Sequence, residues 1–525
     1  MNFNILFFLL SYFLIILSCV GYGIYISNKL SSHLKINCLG FKGLIGIFFL
    51  LIYSYISHFV YPHSLLHNSI LILIGFLFFV YYLINVKLSE FKILFFVFSI
   101  IFISFLIFKT HDDFPYYHFP YTYNLTQNNI IIGIGEFNHG FRTPSSIFYL
   151  NSLFYLPLVG YNMFYMGAVL ILGFSNIILL NSIFQNLKQK NFNYLFYFSL
   201  LSLAFVNIFF YRLQEHGTDR SSQILIFIFF IGLLKITNKN ENLKNELIKI
   251  IILLALIISF KTFYILYLIF VFPIIYYLNK KNNLKIIFEI FKNPYFYFSI
   301  CLGLLVIISI FFNTGCLIYP LIFSCFESLD WTIPLHQVAK MKIHYEVWSK
   351  AGYTPNFIVE NVPEYISNFN WVSNWFDIYF FNKVSDFFLG LLFLSMIFIF
   401  TFSNKNKKLP FEFKIIDLNY LFVFILLLEW FINHPALRYG GYVLISILIF
   451  LPVSLYLEKY KFNKFHKKKI YFIIALIFII FSGRNIDRII YEHEFYNYNP
   501  FKDPYYRSVD NQFRYVDKFR ELSNN

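Results

Sequence analysis

Long runs of apolar residues alternate with short polar connections along almost the whole chain. Runs of about 18 or more apolar residues are long enough to cross the roughly 30 Å of bilayer hydrocarbon as a helix. We expect helices because lipid offers no hydrogen-bonding partner to an open strand. The pattern predicts an all-α, polytopic membrane protein with about 14 spans, near residues 4–26, 43–60, 68–86, 93–109, 162–184, 194–211, 222–237, 248–260, 263–279, 294–312, 385–403, 417–433, 441–457 and 470–483.

The polar connections divide into two groups of different charge. When connections are assigned alternately to the two sides of a membrane, one side holds lysine-rich connections without arginine, and the other side holds every arginine. Lysine-rich connections face the cytoplasm under the positive-inside rule, which places both chain termini outside. The formal net charge of +15 is therefore interpreted as a topology signal, and we expect no nucleic-acid partner.

The amino-acid composition agrees with this interpretation. The chain is 58% hydrophobic and only 13% charged, which excludes an ordinary soluble protein. The first apolar run, Ile5–Ile26, lacks a basic start and a small-residue cleavage site, so we expect a retained span and not a signal peptide. The bias towards Lys, Asn and Ile indicates an AT-rich bacterial genome. The predicted location is the bacterial inner (cytoplasmic) membrane, with both termini in the periplasm.

The predicted organisation is a transmembrane helical domain over 1–483 followed by an extracytoplasmic tail, 484–525. None of the outside segments is large enough to form a sizeable independent soluble domain. Cys316 and Cys325 share the longest outside loop, where an oxidising compartment would permit a disulfide, and unpaired packing cysteines are the alternative. The outside loops are 109–161, 211–221, 313–384 and 433–441.

The candidate chemistry is concentrated in the loop that begins at Lys109. Asp112 and Asp113 form an adjacent pair of carboxylates at the predicted membrane edge, where such charges are costly unless something binds or uses them. They are candidates for a catalytic general base. They are also candidate ligands for Mg²⁺ or Mn²⁺, since hard cations prefer oxygen ligands. The alternative is a helix N-cap or turn before Pro115.

Further polar residues of the outside loops are candidates for substrate binding. A guanidinium group offers a rigid fork that suits phosphate oxygens bidentately, which favours arginine as a phosphate ligand. Ordinary ion pairing with outside acids or lipid head groups is the alternative, and for the histidines it is aromatic packing at the interface. The candidates are His118, Glu136, His139, Arg142, Glu215, His216, Asp219, Arg220, His434 and Arg438.

This pattern resembles the GT-C class of membrane glycosyltransferases. The residues that carry the resemblance are Asp112 and Asp113 at the end of a span, the interfacial stretch after Arg142, and the loops around Asp219-Arg220 and Arg438. The resemblance implies an acidic catalytic residue in an outside loop, often with a divalent metal, and basic residues that hold a polyprenyl-phosphate-linked sugar. GT-C proteins usually have a single span before the acidic loop, whereas four are predicted here.

The chain is more closely similar to a group of uncharacterised bacterial polytopic proteins. The likeness spans most of the chain and brings no established activity. It is carried by the Asp…Tyr-His segment 112–118, by 138–142 with Ser145-Ser146, by 317–334, and by Trp430…Pro435…Arg438-Tyr439.

The leading functional hypothesis is a transferase that moves sugar from a polyprenyl-phosphate-linked donor at the periplasmic face, in cell-envelope glycan assembly. Membrane lipid and the lipid-linked sugar are its expected partners. A polymerase or ligase that joins lipid-linked oligosaccharides without metal is the second hypothesis. A non-enzymatic transporter or flippase of lipid-linked saccharide is the third, and it is disfavoured because only Lys261 and Glu429 are predicted to lie deep among the spans.

Overall fold

The computed structural model describes residues 5–83, 87–107, 109–238, 242–354, 357–403, 416–460 and 464–501. These residues are mostly helical. The α-helices among them are α1 Ile5–Lys29, α2 Leu39–His58, α3 Leu65–Tyr82, α4 Leu88–Phe105, α5 Phe119–Gln127, α6 Ser146–Ser152, α7 Met166–Gln189, α8 Tyr194–Ile208, α9 Asp219–Asn238, α10 Leu243–Phe260, α11 Val271–Lys280, α12 Lys285–Phe291, α13 Pro294–Thr314, α14 Leu335–Ser349, α15 Val362–Ile366, α16 Val372–Trp375, α17 Ser385–Phe402, α18 Ile416–Asn433, α19 Gly441–Glu458 and α20 Lys464–Tyr496.

Shorter helical segments connect several of these helices. Two are π-helical, Phe114–His118 and Phe376–Val384. The only sheet within the described residues is an antiparallel pair, Tyr353–Thr354 with Phe357–Ile358. The 3-10 segments are Ile134–Glu136, His139–Phe141, Tyr161–Met163, Leu213–Glu215, Thr262–Phe270, Ile322–Ser324 and Leu437–Tyr439.

Eleven helical stretches of the described chain are long and apolar enough to cross a membrane, so the protein is an all-α polytopic membrane protein. Two shorter apolar helices, Tyr194–Ile208 and Leu418–Asn433, fall below that length. Helix α10 is 18 residues long and carries Lys244, Glu246 and Lys249. Each of the predicted helices overlaps an observed one, and the number that span stays a prediction.

The last helix extends beyond the predicted end of the transmembrane domain. Helix α20 runs without a break to Tyr496, so the expected division between 483 and 484 falls inside it. The Asn485 side chain donates to the carbonyls of Phe481 and Tyr211, at 2.9 and 3.2 Å. Arg484 donates to the Ile208 carbonyl at 2.8 Å. These contacts give the polar residues partners in helical conformation, so the polar sequence there does not end the helix.

The chain divides into two compact units. Unit 1 comprises 1–178, 205–221 and 475–525, and unit 2 comprises 179–204 and 222–474. In unit 1, helix α1 packs against α2 and α3 at glycines, because Gly23 faces the Lys42 backbone and Gly46 faces the Cys19 backbone too closely for a side chain. Small residues of this kind let membrane helices approach closely.

Unit 2 contains packed helices and a folded segment that follows α13 in the chain. Helix α10 packs on α13, and α19 packs on both α17 and α18. The segment after α13 contains a disulfide between Cys316 and Cys325, which settles the alternative that the sequence left open. It continues through α14 and the short strand pair to α16. The break at Lys261, where the backbone is extended between α10 and the following 3-10 segment, agrees with the predicted pair of short helices.

Candidate functional site

The loop after α4 folds into a π-helical turn that carries the first candidate residues. Pro115 stands at the start of this turn, where its missing N–H costs no hydrogen bond. Asp113 precedes the turn, and its side chain makes no capping hydrogen bond there. Instead, its Oδ2 accepts a hydrogen bond from the Tyr117 hydroxyl at 3.1 Å. The Asp113 carboxylate is therefore held by a side chain one turn later and does not act as a helix cap.

Three side chains of this loop converge. One potential metal-ligating atom from each of His111, Asp113 and His118 lies within 4.8 Å of the other two. His111 Nδ1 is 3.6 Å from Asp113 Oδ2, and the two imidazole rings are 5.4 Å apart between centroids. His118 is buried, whereas the side chains of His111 and Asp113 are 23% and 32% exposed. The cluster is therefore closed on one side and open to a ligand on the other.

Asp112 has a different environment from its neighbour. It is exposed, and it does not belong to the cluster of His111, Asp113 and His118. The predicted pair of carboxylates is thus divided by the structure into one clustered residue and one surface residue. The prediction that both aspartates bind the same metal has no geometric support from this cluster.

The orientation of His111 is determined by neighbouring backbone groups. Its main-chain N–H donates to the Gln214 carbonyl at 3.2 Å, and its Nδ1 accepts the Asp113 main-chain N–H at 3.0 Å. Its ring lies against Gly217, where an added Cβ would be 3.1 Å from Cδ2 of His111. Gly217 has φ +56°, a conformation that residues with a side chain rarely adopt. The loop between α8 and α9 thus holds the loop after α4.

The ring of His118 is held by aromatic side chains. Tyr117 packs edge-on to it with centroids 4.5 Å apart, and Phe148 lies at 5.1 Å. Beside His118 is a cavity of about 20 Å³, also lined by Thr122, Asn151 and Gly217. A buried water needs roughly 10–15 Å³ and several polar partners, so this cavity has room for about one water molecule.

The loop between α8 and α9 is itself held by hydrogen bonds. Gln214 Nε2 donates to the Phe105 carbonyl at 2.7 Å. His216 Nε2 lies 2.7 Å from the Phe210 carbonyl, which requires a proton on that nitrogen. Burial lowers the pKa of His216 to about 3, and the charge of Arg220 acts in the same direction. His216 is therefore neutral at physiological pH and acts as a structural donor.

The other charged candidates of this loop have distinct surroundings. Asp219 is buried at the start of α9 and lies 3.4 Å from the Thr218 hydroxyl, which donates to it. The Arg220 guanidinium carbon lies 4.5 Å from the centroid of the Phe210 ring. Glu215 forms ion pairs with Arg212 and Arg488, so its charge is already compensated. Of the two arginines near this loop, Arg220 is the closer in sequence to Gly217. Gly217 in turn lies against the His111 ring.

The remaining candidates of the first loop do not join the cluster of His111, Asp113 and His118. Glu136 and His139 are exposed on short 3-10 turns. Arg142 is buried, and its Nε donates to the Gly135 carbonyl at 3.0 Å. This bond attaches Arg142 to its own loop, which is a structural role.

A larger cleft in unit 1 is lined by charged residues at the end of α20. Its volume is about 350 Å³, and its lining includes Lys109, Arg212, Glu215, Arg488 and Glu492. Glu492 accepts the Lys109 main-chain N–H at 3.3 Å. The loop that carries the site is therefore tied to α20 immediately before His111.

His434 and Arg438 belong to unit 2, where they surround Tyr439. The guanidinium carbon of Arg438 is 5.9 Å from the Tyr439 centroid, and Lys261 Nζ is 5.6 Å from it. The His434 ring is also 5.9 Å from this ring. Burial lowers the pKa of His434, opposed by the charge of Glu346 and reinforced by that of Lys350. Two cations on one tyrosine make this an electropositive aromatic cluster.

Sequence reasoning did not single out several residues that shape the site. Tyr117 follows Asp113 by four residues, a spacing that brings side chains together in a helical turn. Gln214 acts through its main-chain carbonyl, for which the sequence has no signal. Gly217 stands in a polar loop where glycine is common, so only the backbone conformation reveals its role.

Comparison with known proteins gives one finding. A family model described as "Domain of unknown function (DUF8201)" matches residues 5–445. No curated protein and no solved structure matches the chain.

Proposed function

The chain belongs to the DUF8201 family, and we propose from its own site that it is a GT-C-like membrane glycosyltransferase. It transfers a sugar from a polyprenyl-phosphate-linked donor to an acceptor hydroxyl at the periplasmic face, in cell-envelope glycan assembly. The observation that carries the proposal is the Asp113 carboxylate, clustered with His111 and His118 at the end of a candidate span.

Asp113 is the catalytic carboxylate in this proposal. The acceptor hydroxyl gives its proton to Asp113, and its oxygen forms a bond to the anomeric carbon of the donor sugar. The bond between that carbon and the phosphate oxygen breaks, and the lipid phosphate leaves with the electron pair. A positioned carboxylate base of this kind typically contributes about 10²–10⁴-fold to a rate. Partial burial beside two imidazoles distinguishes Asp113 from Asp112 for this role.

Arg220 is the proposed ligand of the donor phosphate in unit 1. It stands three residues after Gly217, and its guanidinium lies against the face of Phe210. A guanidinium can bind two phosphate oxygens at once, and it keeps its positive charge at a membrane surface. Arg438, with Lys261, is a separate candidate for the same type of contact in unit 2.

The residues of the site also fit a divalent metal, with a different ligand set from the pair of aspartates. His111, Asp113 and His118 would hold it, and Asp112 would not. Such a metal, when bound, supplies Lewis-acid stabilisation of negative charge. His111 and His118 line the Asp113 carboxylate, His118 on the buried side.

The proposal is tested by comparing two adjacent substitutions. The protein, reconstituted in nanodiscs, is incubated with polyprenyl-phosphate-linked hexoses carrying a ¹⁴C-labelled sugar and with glycan acceptors extracted from bacterial envelopes. Asp113→Asn is expected to lower label transfer by about 10²–10⁴-fold. Asp112→Asn is the matched control and is expected to keep transfer within about twofold, because Asp112 is exposed.

Two outcomes contradict the proposal. Full transfer by the Asp113→Asn protein would exclude this carboxylate as the base. Movement of labelled lipid across a liposome bilayer, with no covalent product in any acceptor fraction, would instead indicate the flippase hypothesis.

A further inference from the structure

We propose that His111, Asp113 and His118 form a binding site for one divalent transition metal ion. The metal's role in transfer rests on the proposed function, whereas its binding does not. The three residues come from one loop of eight residues, and their ligand atoms are mutually within 4.8 Å. Ligand atoms around one ion at about 2.1 Å lie roughly 3 to 3.5 Å apart. Closing the site therefore needs side-chain movements of about 1 Å.

The donor set selects the class of metal. Two imidazole nitrogens and one carboxylate oxygen suit Mn²⁺, Fe²⁺ or Zn²⁺. Mg²⁺ and Ca²⁺ prefer oxygen ligands and usually retain several waters or carbonyl groups. The site therefore favours a transition metal over Mg²⁺.

The surroundings restrict the ligand residues to a narrow range of positions. The ring of His118 is held between Tyr117 and Phe148. The Tyr117 hydroxyl also donates to Asp113 Oδ2 at 3.1 Å, which orients the carboxylate. Hydrogen bonds from neighbouring residues to metal ligands hold the ligands in position, and their loss typically lowers metal affinity by about 10–100-fold.

His111 would bind the metal through the ring nitrogen that carries a lone pair, and the structure indicates Nδ1. Its Nδ1 accepts the main-chain N–H of Asp113 at 3.0 Å, so the proton of the neutral ring is on Nε2. A metal on Nδ1, which lies 3.6 Å from Asp113 Oδ2, would replace this hydrogen bond. The ring edge with Nε2 and Cδ2 faces Gly217. The absence of a Cβ at Gly217 leaves room for this ring edge, so the glycine helps to position His111 in the proposed site.

The remaining coordination positions have space for small ligands. The cavity of about 20 Å³ beside His118 is lined by Thr122 and Asn151, whose polar groups can hold a water molecule. The exposed side of His111 and Asp113 faces away from the protein interior. A substrate oxygen can approach from that side.

The experiment measures metal binding without a sugar donor. The protein in nanodiscs is stripped with EDTA and titrated with Mn²⁺, and free Mn²⁺ is followed by its six-line EPR signal. One Mn²⁺ per chain is expected, displaced by Zn²⁺ and not by a tenfold excess of Mg²⁺. His111→Gln and His118→Gln are each expected to weaken binding by about 10–100-fold or more.

Matched controls come from the same loop. Asp112→Asn and His139→Gln change exposed residues outside the cluster and are expected to leave the affinity unchanged. His118 is buried, so its variant is accepted only if its melting temperature and elution volume match the original. His111 is partly exposed, and its variant keeps the test decisive if His118→Gln does not fold.

Several results would overturn the inference. These are no stoichiometric Mn²⁺ or Zn²⁺ binding, equal binding by His111→Gln, or loss of binding in the Asp112→Asn control. Transfer that depends on Asp113 but persists after EDTA would support the proposed function and exclude a role for the metal in it. Metal binding without any transfer would support the metal site and contradict the proposed function.

Discussion

At the scale of single residues, the two adjacent aspartates have different surroundings. Asp113 is partly buried, accepts from Tyr117 and lies 3.6 Å from His111, whereas Asp112 is exposed. A carboxylate near two imidazoles and a hydroxyl has the neighbours that proton transfer or metal binding requires. Because the two residues are chemically identical and adjacent, only the turn conformation decides which one lies in the cluster.

Gly217→Ala is predicted to disturb the site without replacing a proposed ligand. The new methyl group would meet the His111 ring at 3.1 Å, and φ is +56° at this position. A non-glycine residue in such a conformation costs about 1–3 kcal/mol. We expect a lower melting temperature and Mn²⁺ affinity reduced by about tenfold or more.

The control for this prediction is Gly303→Ala in α13. An added Cβ there meets nothing within 4 Å, and alanine is the better helix former by about 1 kcal/mol. Its melting temperature should be unchanged or raised, with Mn²⁺ binding intact. Wild-type affinity in the Gly217→Ala protein would show that the glycine does not shape the His111 position.

The sequence singled out some members of the cluster and could not show which polar residues lie together. His118 and the two aspartates were candidates because ionisable residues stood out after a long apolar run. The exposed positions of Glu136 and His139 could not be predicted, since a polar loop residue can face either way. The contact between His111 and Gly217 joins segments about 100 residues apart, which spacing within one loop cannot reveal.

At the scale of elements, polar residues in apolar sequence were ambiguous as helix ends. Lys261 does end α10, because its backbone is extended there. Arg484 and Asn485 do not end α20, because neighbouring carbonyls of unit 1 accept their side-chain N–H groups. Helix ends therefore depended on whether tertiary contacts satisfied the polar groups.

The junction between α2 and α3 contains a buried histidine that the sequence did not single out. His63 is fully buried, and its Nδ1 lies 2.7 Å from the Ser152 hydroxyl on α6. Its Nε2 lies 3.1 Å from both the Ser57 hydroxyl and the Ser54 carbonyl. His63 thus joins the turn after α2 to the site-bearing loop region of unit 1.

This junction is predicted to make stability fall at acid pH. Burial lowers the pKa of His63 well below its usual value, and the charges of His58 and His67 act in the same direction. The unfolded chain then binds a proton below about pH 6.5 that the folded chain excludes. The contribution of neutral His63 is complete above that pH and is lost at about 1.4 kcal/mol per pH unit as the pH falls.

The measurement is the melting temperature in nanodiscs between pH 7.5 and pH 5. His63→Gln removes one titrating group and is expected to reduce the acid slope, with His216 still contributing, even though it lowers stability overall. His139→Gln, which changes an exposed histidine, is expected to keep the original slope. An unchanged slope in the His63→Gln protein would assign the acid sensitivity to other groups.

At the scale of the whole molecule, hydropathy predicted the helices and charge predicted their orientation. A helix that spans the bilayer needs an apolar run as long as the hydrocarbon is thick. The positions of the long helices could therefore be predicted from the sequence. The grouping of these helices into two units could not, because lipid-facing and buried surfaces of a span are both apolar. The disulfide between Cys316 and Cys325 agrees with an oxidising compartment for the predicted outside face.

The predicted orientation can be tested on the full chain by cysteine labelling. In a Cys38→Ser background, His139→Cys places a thiol in the site-bearing loop, and Lys188→Cys places one in a predicted cytoplasmic connection. Both positions are exposed. A membrane-impermeant maleimide is expected to label the first in intact spheroplasts and the second only after permeabilisation, as the positive-inside rule requires.

The opposite labelling would change the functional argument as well as the topology. The cluster of His111, Asp113 and His118 lies in the loop that contains His139. If Lys188→Cys were labelled in intact cells and His139→Cys were not, this cluster would face the cytoplasm. Sugar donors linked to nucleotides are available there, so the reason for a lipid-linked donor would disappear. Labelling at His139→Cys alone keeps the site in a compartment without nucleotide sugars, where a lipid-phosphate donor is the chemistry that fits.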